Sequence, residues 1–159
     1  ALKNEFRYLN PIRKAHNMTD LPSKFIEEWH TAVEERSFEK VNALLAEDAK
    51  LISPVAFKPF TDRAYILKVL ENVVGTLENF RYTRSTVLSD GGVLLIFEGE
   101  IDGMTLEGMD LIDLDAEGKL KTLKVMMRPF RVYTKFAFAM AERLGIKSLK
   151  MSIMKFLLG

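Results

Sequence analysis

Asp110 is the residue whose type and place most suggest chemistry. It lies in LEGMDLIDL, Leu106 to Leu114, a stretch that alternates with the period of a strand. Leu106, Gly108, Asp110, Ile112 and Leu114 share one face, and Glu107, Met109, Leu111 and Asp113 share the other. The acid therefore falls on the face that reads as core. A carboxylate buried without a partner is costly enough that it must be paired or protonated. Burial favours the neutral form and raises the pKa, which suits a proton donor near neutrality. The alternative is a structural acid held by a neighbouring hydroxyl, amide or arginine. The spacing predicts a pocket role for Asp110, catalytic or ligand-orienting. Gly108, on the same face, leaves room for a ligand or for a bend in the sheet.

Few other side chains qualify to work with it. Ser53 precedes a proline in LISPV, but a serine with no partner base cannot take a carbon-bound proton at neutral pH. Arg128 closes the strand LKTLKVMMR. Strict alternation groups it with Thr122, Lys124 and Met126, opposite the apolar Leu123, Val125 and Met127, so it reaches a pocket only if a bulge intervenes before Pro129. His30 flanks a helical apolar stripe, and a boundary position is its plainer reading. His30 and Glu34 are spaced i, i+4, but two polar flank residues do not make a metal site. SDGG and DG are hairpin turns rather than phosphate loops, so neither a metal nor a cofactor is expected. Trp29, Phe57, Phe60, Tyr82, Phe97, Met126 and Met127 read first as core. Where such a core lines a pocket, it favours an apolar ligand over a sugar or phosphate. The expected wall takes Trp29, His30, Ser53, Val55, Tyr82 and Phe97, together with Gly108, Leu123, Val125, Met127 and Arg128.

These side chains need elements to hold them. From Pro22, Phe25, Ile26, Trp29, Ala32 and Val33 recur at helical spacing. Ser37 is the expected N-cap of a second, short helix with Phe38, Val41, Leu44 and Leu45 inward. AKLIS, Ala49 to Ser53, reads as a short strand broken by the prolines of PVAFKPF. Thr61 is the expected cap of a third helix, striped by Tyr65, Ile66, Val69, Leu70 and Val73. The rest is mostly β: FRYTRSTVL, the SDGG turn, VLLIFEGEI, the Asp102–Gly103 turn, MTLEGMDLIDL, the DAEG turn and LKTLKVMM. Helices first and a meander afterwards make an α+β fold, with helices on one face of a curved antiparallel sheet. Val132 to Leu144 is again helical, and IKSLKMSIMKFLLG after Gly145 could form one more amphipathic helix.

Composition narrows the classes. The 159 residues carry a net charge of +1 and no cysteine, which excludes a disulfide framework and a thiolate zinc site and gives no global field for nucleic acid. No apolar run is long enough to cross a membrane, ALKNEFRYLNPIRKAHN has no hydrophobic signal core, and a cytoplasmic protein is the expectation. After Pro129, six basic residues face only Glu142. The expected organisation is an N-terminal arm over 1–20, one domain over 21–130 and a C-terminal helical extension over 131–159.

FIEEWHTAVEERSFEKVNALLAEDAKLISPV and EGMDLIDLDAEGKLKTLKVMMRP resemble the opening helix pair with first strand, and the final hairpin, of the nuclear transport factor 2-like superfamily, in its SnoaL-like and ketosteroid-isomerase-like branch. The resemblance covers about residues 22–130. It implies a cone of three helices on a strongly bent sheet, a pocket between them, and a homodimer. Steroid isomerases of this branch keep a general-base Asp just before the proline that ends the first strand, where this chain has Ser53. They keep an oxyanion-donating Tyr on the first helix, where this chain has Trp29. They keep a protonated Asp in the penultimate strand, and Asp110 occupies that place. One of three roles survives, so steroid isomerisation is not expected. The Arg and Asp pair of limonene-type epoxide hydrolases is also incomplete, because Gly108 stands before Asp110. The leading expectation is a domain that binds a small apolar molecule. The alternatives are an isomerase, dehydratase or cyclase using Asp110 as acid or base, and a non-catalytic dimerisation domain with a filled pocket.

Overall fold

A computed structural model describes residues 20–148. The elements run α1 (Asp20–Glu34), α2 (Phe38–Leu44), β1 (Leu45–Ile52), α3 (Arg63–Thr76), β2 (Glu78–Val87), β3 (Val93–Ile101), β4 (Met104–Leu114), β5 (Leu120–Arg128) and α4 (Phe130–Arg143). The arm expected over 1–20 lies, but for Asp20, outside the described residues, and so does most of the helix expected after Gly145.

The stripe of α1 is buried as its period demands, with Phe25, Trp29, Ala32 and Val33 all in the core. The strand order is β1-β5-β4-β3-β2. The four later strands form an antiparallel meander, and β1 joins the edge parallel to β5. The sheet is curved and unclosed, and the helices cover its inner face. The β3–β4 hairpin turns on Asp102 and Gly103, both at positive φ (50° and 70°), the conformation a two-residue turn of this hand requires.

Three local expectations change. Leu45 does not end α2 but opens β1, with extended backbone and a pairing to Leu120, so the strand starts earlier than AKLIS. The cap of α3 is Asp62 rather than Thr61: its carboxylate accepts from the Tyr65 amide at 2.7 Å. Ser37 stands at the α2 N-cap, but its hydroxyl makes no capping bond.

Register irregularities bend the sheet. Arg84 pairs with Ile96, yet Tyr82 pairs with Phe97, so one extra residue is inserted into β2 between them. Beyond the bulge the faces exchange. Ser85 and Val87 share the face of Leu95 and Val93, and so does Tyr82, although it differs from them in parity. An unbulged β2 would carry Tyr82 to the outer face.

Helix α4 packs into the same core through Val132, Phe136 and Met140. It crosses one end of the sheet. Lys135 Nζ lies 3.5 Å from Asp102 in the β3–β4 turn, and Thr76 Oγ1, at the end of α3, donates to Met140 Sδ at 3.5 Å. Gly75, near the end of α3, lies beside the Arg143 guanidinium of α4.

Candidate functional site

Helices α1 to α3, the inner sheet face and α4 enclose a cavity of about 590 Å³. The pocket is open, not filled by side chains. Its wall is almost wholly apolar, from Val33, Val69 and Val73 on the helices to Leu123, Val125 and Met127 on β5. Among the described residues that line it, Asp110 alone carries a formal charge.

Three elements converge on that acid. Trp29 on α1 donates from Nε1 to the Tyr82 hydroxyl at 2.8 Å. Tyr82, brought inward on β2 by the bulge, hydrogen-bonds the Asp110 carboxyl on β4. The Tyr82 ring is clamped: His30 stacks on it at 4.7 Å and 9°, while Phe80 and Phe97 meet it edge-on at 5.3 Å and 6.4 Å. Phe25 stacks on Trp29 at 5.5 Å.

Burial pushes the Asp110 carboxyl up from 3.8 to about 7, and the Tyr82 hydrogen bond opposes that rise. Burial also raises the Tyr82 phenol well above its ordinary value, with the nearby Asp110 charge adding to it and the Trp29 hydrogen bond opposing. Near neutrality, then, the pole of the cavity changes character. Ionised, Asp110 only accepts hydrogen bonds. Protonated, it adds an O–H donor.

Of the residues named from sequence, Trp29, Ser53, Val55, Tyr82, Phe97, Leu123, Val125 and Met127 line the cavity with Asp110. Ser53 turns its hydroxyl to its own loop, where Oγ accepts from the Val55 amide at 3.3 Å. Three others lie elsewhere. Arg128 follows the strict alternation: no bulge precedes Pro129, and it sits opposite Glu107, whose Oε2 accepts from Nη1 at 2.7 Å on the outer face. His30 stands behind Tyr82, its Nε2 buried without a partner and its pKa lowered by burial, with Glu34 opposing. Gly108 makes room for the protein rather than for a ligand: a Cβ there would lie 2.2 Å from Cζ of Phe97.

Two features escaped the sequence reading. Helix α4 supplies wall residues, among them Tyr133, Phe136, Ala137 and Met140. Tyr82 was expected in the wall but not as the partner of Asp110. A signal for it existed: Phe80 and Tyr82 are even-numbered and Val87 is odd, and such a change of parity within one strand marks a bulge. Among the described residues, no group of three or more His, Asp or Glu could hold a metal ion, and no helix is long and apolar enough to cross a membrane.

A bent, unclosed sheet covered by helices around an apolar pocket defines an α+β cone of the nuclear transport factor 2-like class. Residues 26–123 match the SnoaL-like domain, and the chain belongs to that family. Among solved structures, a steroid delta-isomerase from Pseudomonas aeruginosa is 29% identical, with a TM-score of 0.74 over 79% of this chain and 92% of that one. An uncharacterized protein with a cystatin-like fold from Silicibacter pomeroyi is 26% identical, with a TM-score of 0.71 over 82% of this chain and 92% of that one. A de novo designed protein with a curved β-sheet, 16% identical, shares the fold at a TM-score of 0.63 over 80% of this chain and 97% of that one. The same architecture thus occurs in an enzyme and in a designed chain, and the fold does not choose a function. No curated protein matches the sequence.

Proposed function

We propose that the chain binds a small, neutral, apolar molecule that carries an oxygen, with that oxygen at the Tyr82–Asp110 pole and its body along the apolar wall. The observation that carries this reading is the one acid among the described residues that line a largely apolar cavity of about 590 Å³. An organic anion would meet no cation among the described wall residues and would leave its own charge unpaired, which is costly in such surroundings.

The test uses N-phenyl-1-naphthylamine, a neutral apolar dye whose emission rises on leaving water. Trp29, the single tryptophan of the chain, lines the cavity and reports the dye's arrival by energy transfer. One saturable site is expected, lost in Val125→Phe, which fills the space beside Asp110. Unsaturable binding, or binding indifferent to Val125→Phe, would sink the reading.

A second reading, catalysis of an isomerase, dehydratase or cyclase type with Asp110 as acid or base, is favoured by the carboxyl poised at about 7 and by the likeness to a steroid delta-isomerase. On that reading Asp110→Asn abolishes turnover and keeps the dye.

The partner we propose is a second copy of the chain. On the outer sheet face Ile96, Met109 and Met126 form one cross-strand row, and Leu94 and Leu111 form the next. Beside them runs the row Arg81, Glu98, Glu107 and Arg128, closed by ion pairs of 2.7 Å at each end. These pairs neutralise the charged row within one copy, which leaves the apolar rows to meet their own copy in an isologous contact. Sedimentation should give a dimer for the wild type and a monomer for Met109→Glu/Met126→Glu, with dye binding kept. A monomeric wild type at micromolar concentration would overturn this.

A further inference from the structure

We infer that α4, which lies outside the matched SnoaL-like segment, is the specificity-determining wall of the cavity: Ala137 and Met140 set how long a ligand body it accepts. The inference rests on the ligand-binding reading above and deepens it.

The geometry begins at the pole. The lining residues of β5 step past Asp110 toward the Met104 end of β4: Leu123, Val125 and Met127 are paired with Ile112, Asp110 and Gly108 in turn. Helix α4 crosses the sheet at the Met104 end. It leaves β5 just after Arg128, which is paired with Glu107, then passes the β3–β4 turn at Lys135–Asp102, and reaches the end of α3 at Thr76–Met140. A molecule anchored by its oxygen at Asp110 and aligned with the strands therefore runs toward α4. The wall it meets there comes from Phe136, Ala137 and Met140, all of which line the cavity and are otherwise buried.

The two key positions act in opposite directions. Ala137 is small beside Phe136, so the wall is recessed at its position, and enlarging it brings the wall forward. Met140 is long and flexible and fills the end of the space, so truncating it moves the wall back. The helix itself is held by its packing: Val132, Phe136 and Ala141 are buried in the shared core, independently of Met140. The side chains, rather than a sliding helix, then determine the length.

Primary alcohols from hexanol to tetradecanol, displacing N-phenyl-1-naphthylamine from the full chain, measure this directly. In the wild type, affinity should rise about fourfold per methylene until a cutoff length. Met140→Ala should move the cutoff out by about three methylenes, the chain atoms it removes. Ala137→Leu should move it in, and the milder Met140→Val serves if Met140→Ala unfolds. Asp110→Asn should weaken every alcohol by a similar factor and leave the cutoff in place. A cutoff shared by the wild type and all the α4 variants would overturn the inference while leaving the ligand-binding reading standing. If no alcohol displaces the dye from the wild type, both fall together.

Discussion

Asp110→Asn should stabilise the protein at pH 8 by up to about 4 kcal/mol relative to wild type, and change it little at pH 3. The sign follows from the direction of the shift. Burial raises the folded-state pKa of Asp110 from 3.8 to about 7. Below 3.8 both folded and unfolded states hold the proton, and the acid is neutral in each. Between 3.8 and about 7 the unfolded chain has released its proton and the folded chain has not, so stability falls as the pH rises. Above about 7 the loss is complete, because the folded protein holds an ionised carboxylate in an apolar cavity with Tyr82 as its hydrogen-bonding partner. Asn keeps the shape and an acceptor for Tyr82 but never ionises. Urea unfolding of both proteins from pH 3 to pH 9 measures the gap, which should open across that window and stay level above it. A gap independent of pH would mean that Asp110 titrates as an ordinary surface acid and that the polar pole is misread. A stabilised variant that no longer binds or turns over ligand would identify the acid as a group kept for function at the expense of stability.

Gly108→Ala should cost about 2 kcal/mol and deform the cavity, although it adds a single methyl group in a strand. Gly108 is paired directly with Phe97, and the Phe97 ring lies across the glycine with Cζ and both Cε atoms inside the volume of the missing Cβ. Either the ring must swing off or the strands must part. The ring's neighbours are Phe80 and Tyr82, so displacement is transmitted to the phenol that bonds Asp110. The diagnostic is a double-mutant cycle. Phe97→Leu removes the atoms that collide, so Gly108→Ala should cost at least about 1 kcal/mol less in the Phe97→Leu background than alone. Strict additivity would show that the ring and the glycine are not coupled.

How much of this was legible in the sequence depends on the kind of signal. Periodicity placed Phe25, Trp29 and Val33 on one buried face of α1 and set Asp110 on the inner face of β4, because both facts follow from local repeats of 3.6 and 2 residues. The same rule points Arg128 outward, where it is found, and counting it in the expected wall went against that rule. What failed needed information from across the chain. The contact of Phe97 with Gly108 depends on the β3–β4 register, so the glycine was readable as space but not as space already taken. His30 looked like a pocket candidate from its place beside the stripe, yet it supports the back of the Tyr82 ring. The wall of α4 depends on a helix crossing the end of a sheet, a relation that no local period encodes. The resemblance to a known family matched Asp110 to an acid of the steroid isomerases, and it placed Trp29 where a Tyr donates in them. It did not reveal that the indole here donates to another phenol, Tyr82, from a different strand.

The extra residue in β2 bears on how relatives of this chain should be compared. Whether a tyrosine in this strand belongs to the pocket or to the surface is decided not by its identity but by the count of residues between it and the following turn. A homologue with the same tyrosine and one residue fewer would turn it outward, leaving its buried acid without this hydroxyl, while one with a different spacing could recruit a neighbouring side chain in its place. In an alignment of such proteins, the position of a single-residue gap in this strand carries as much chemical meaning as any identical column.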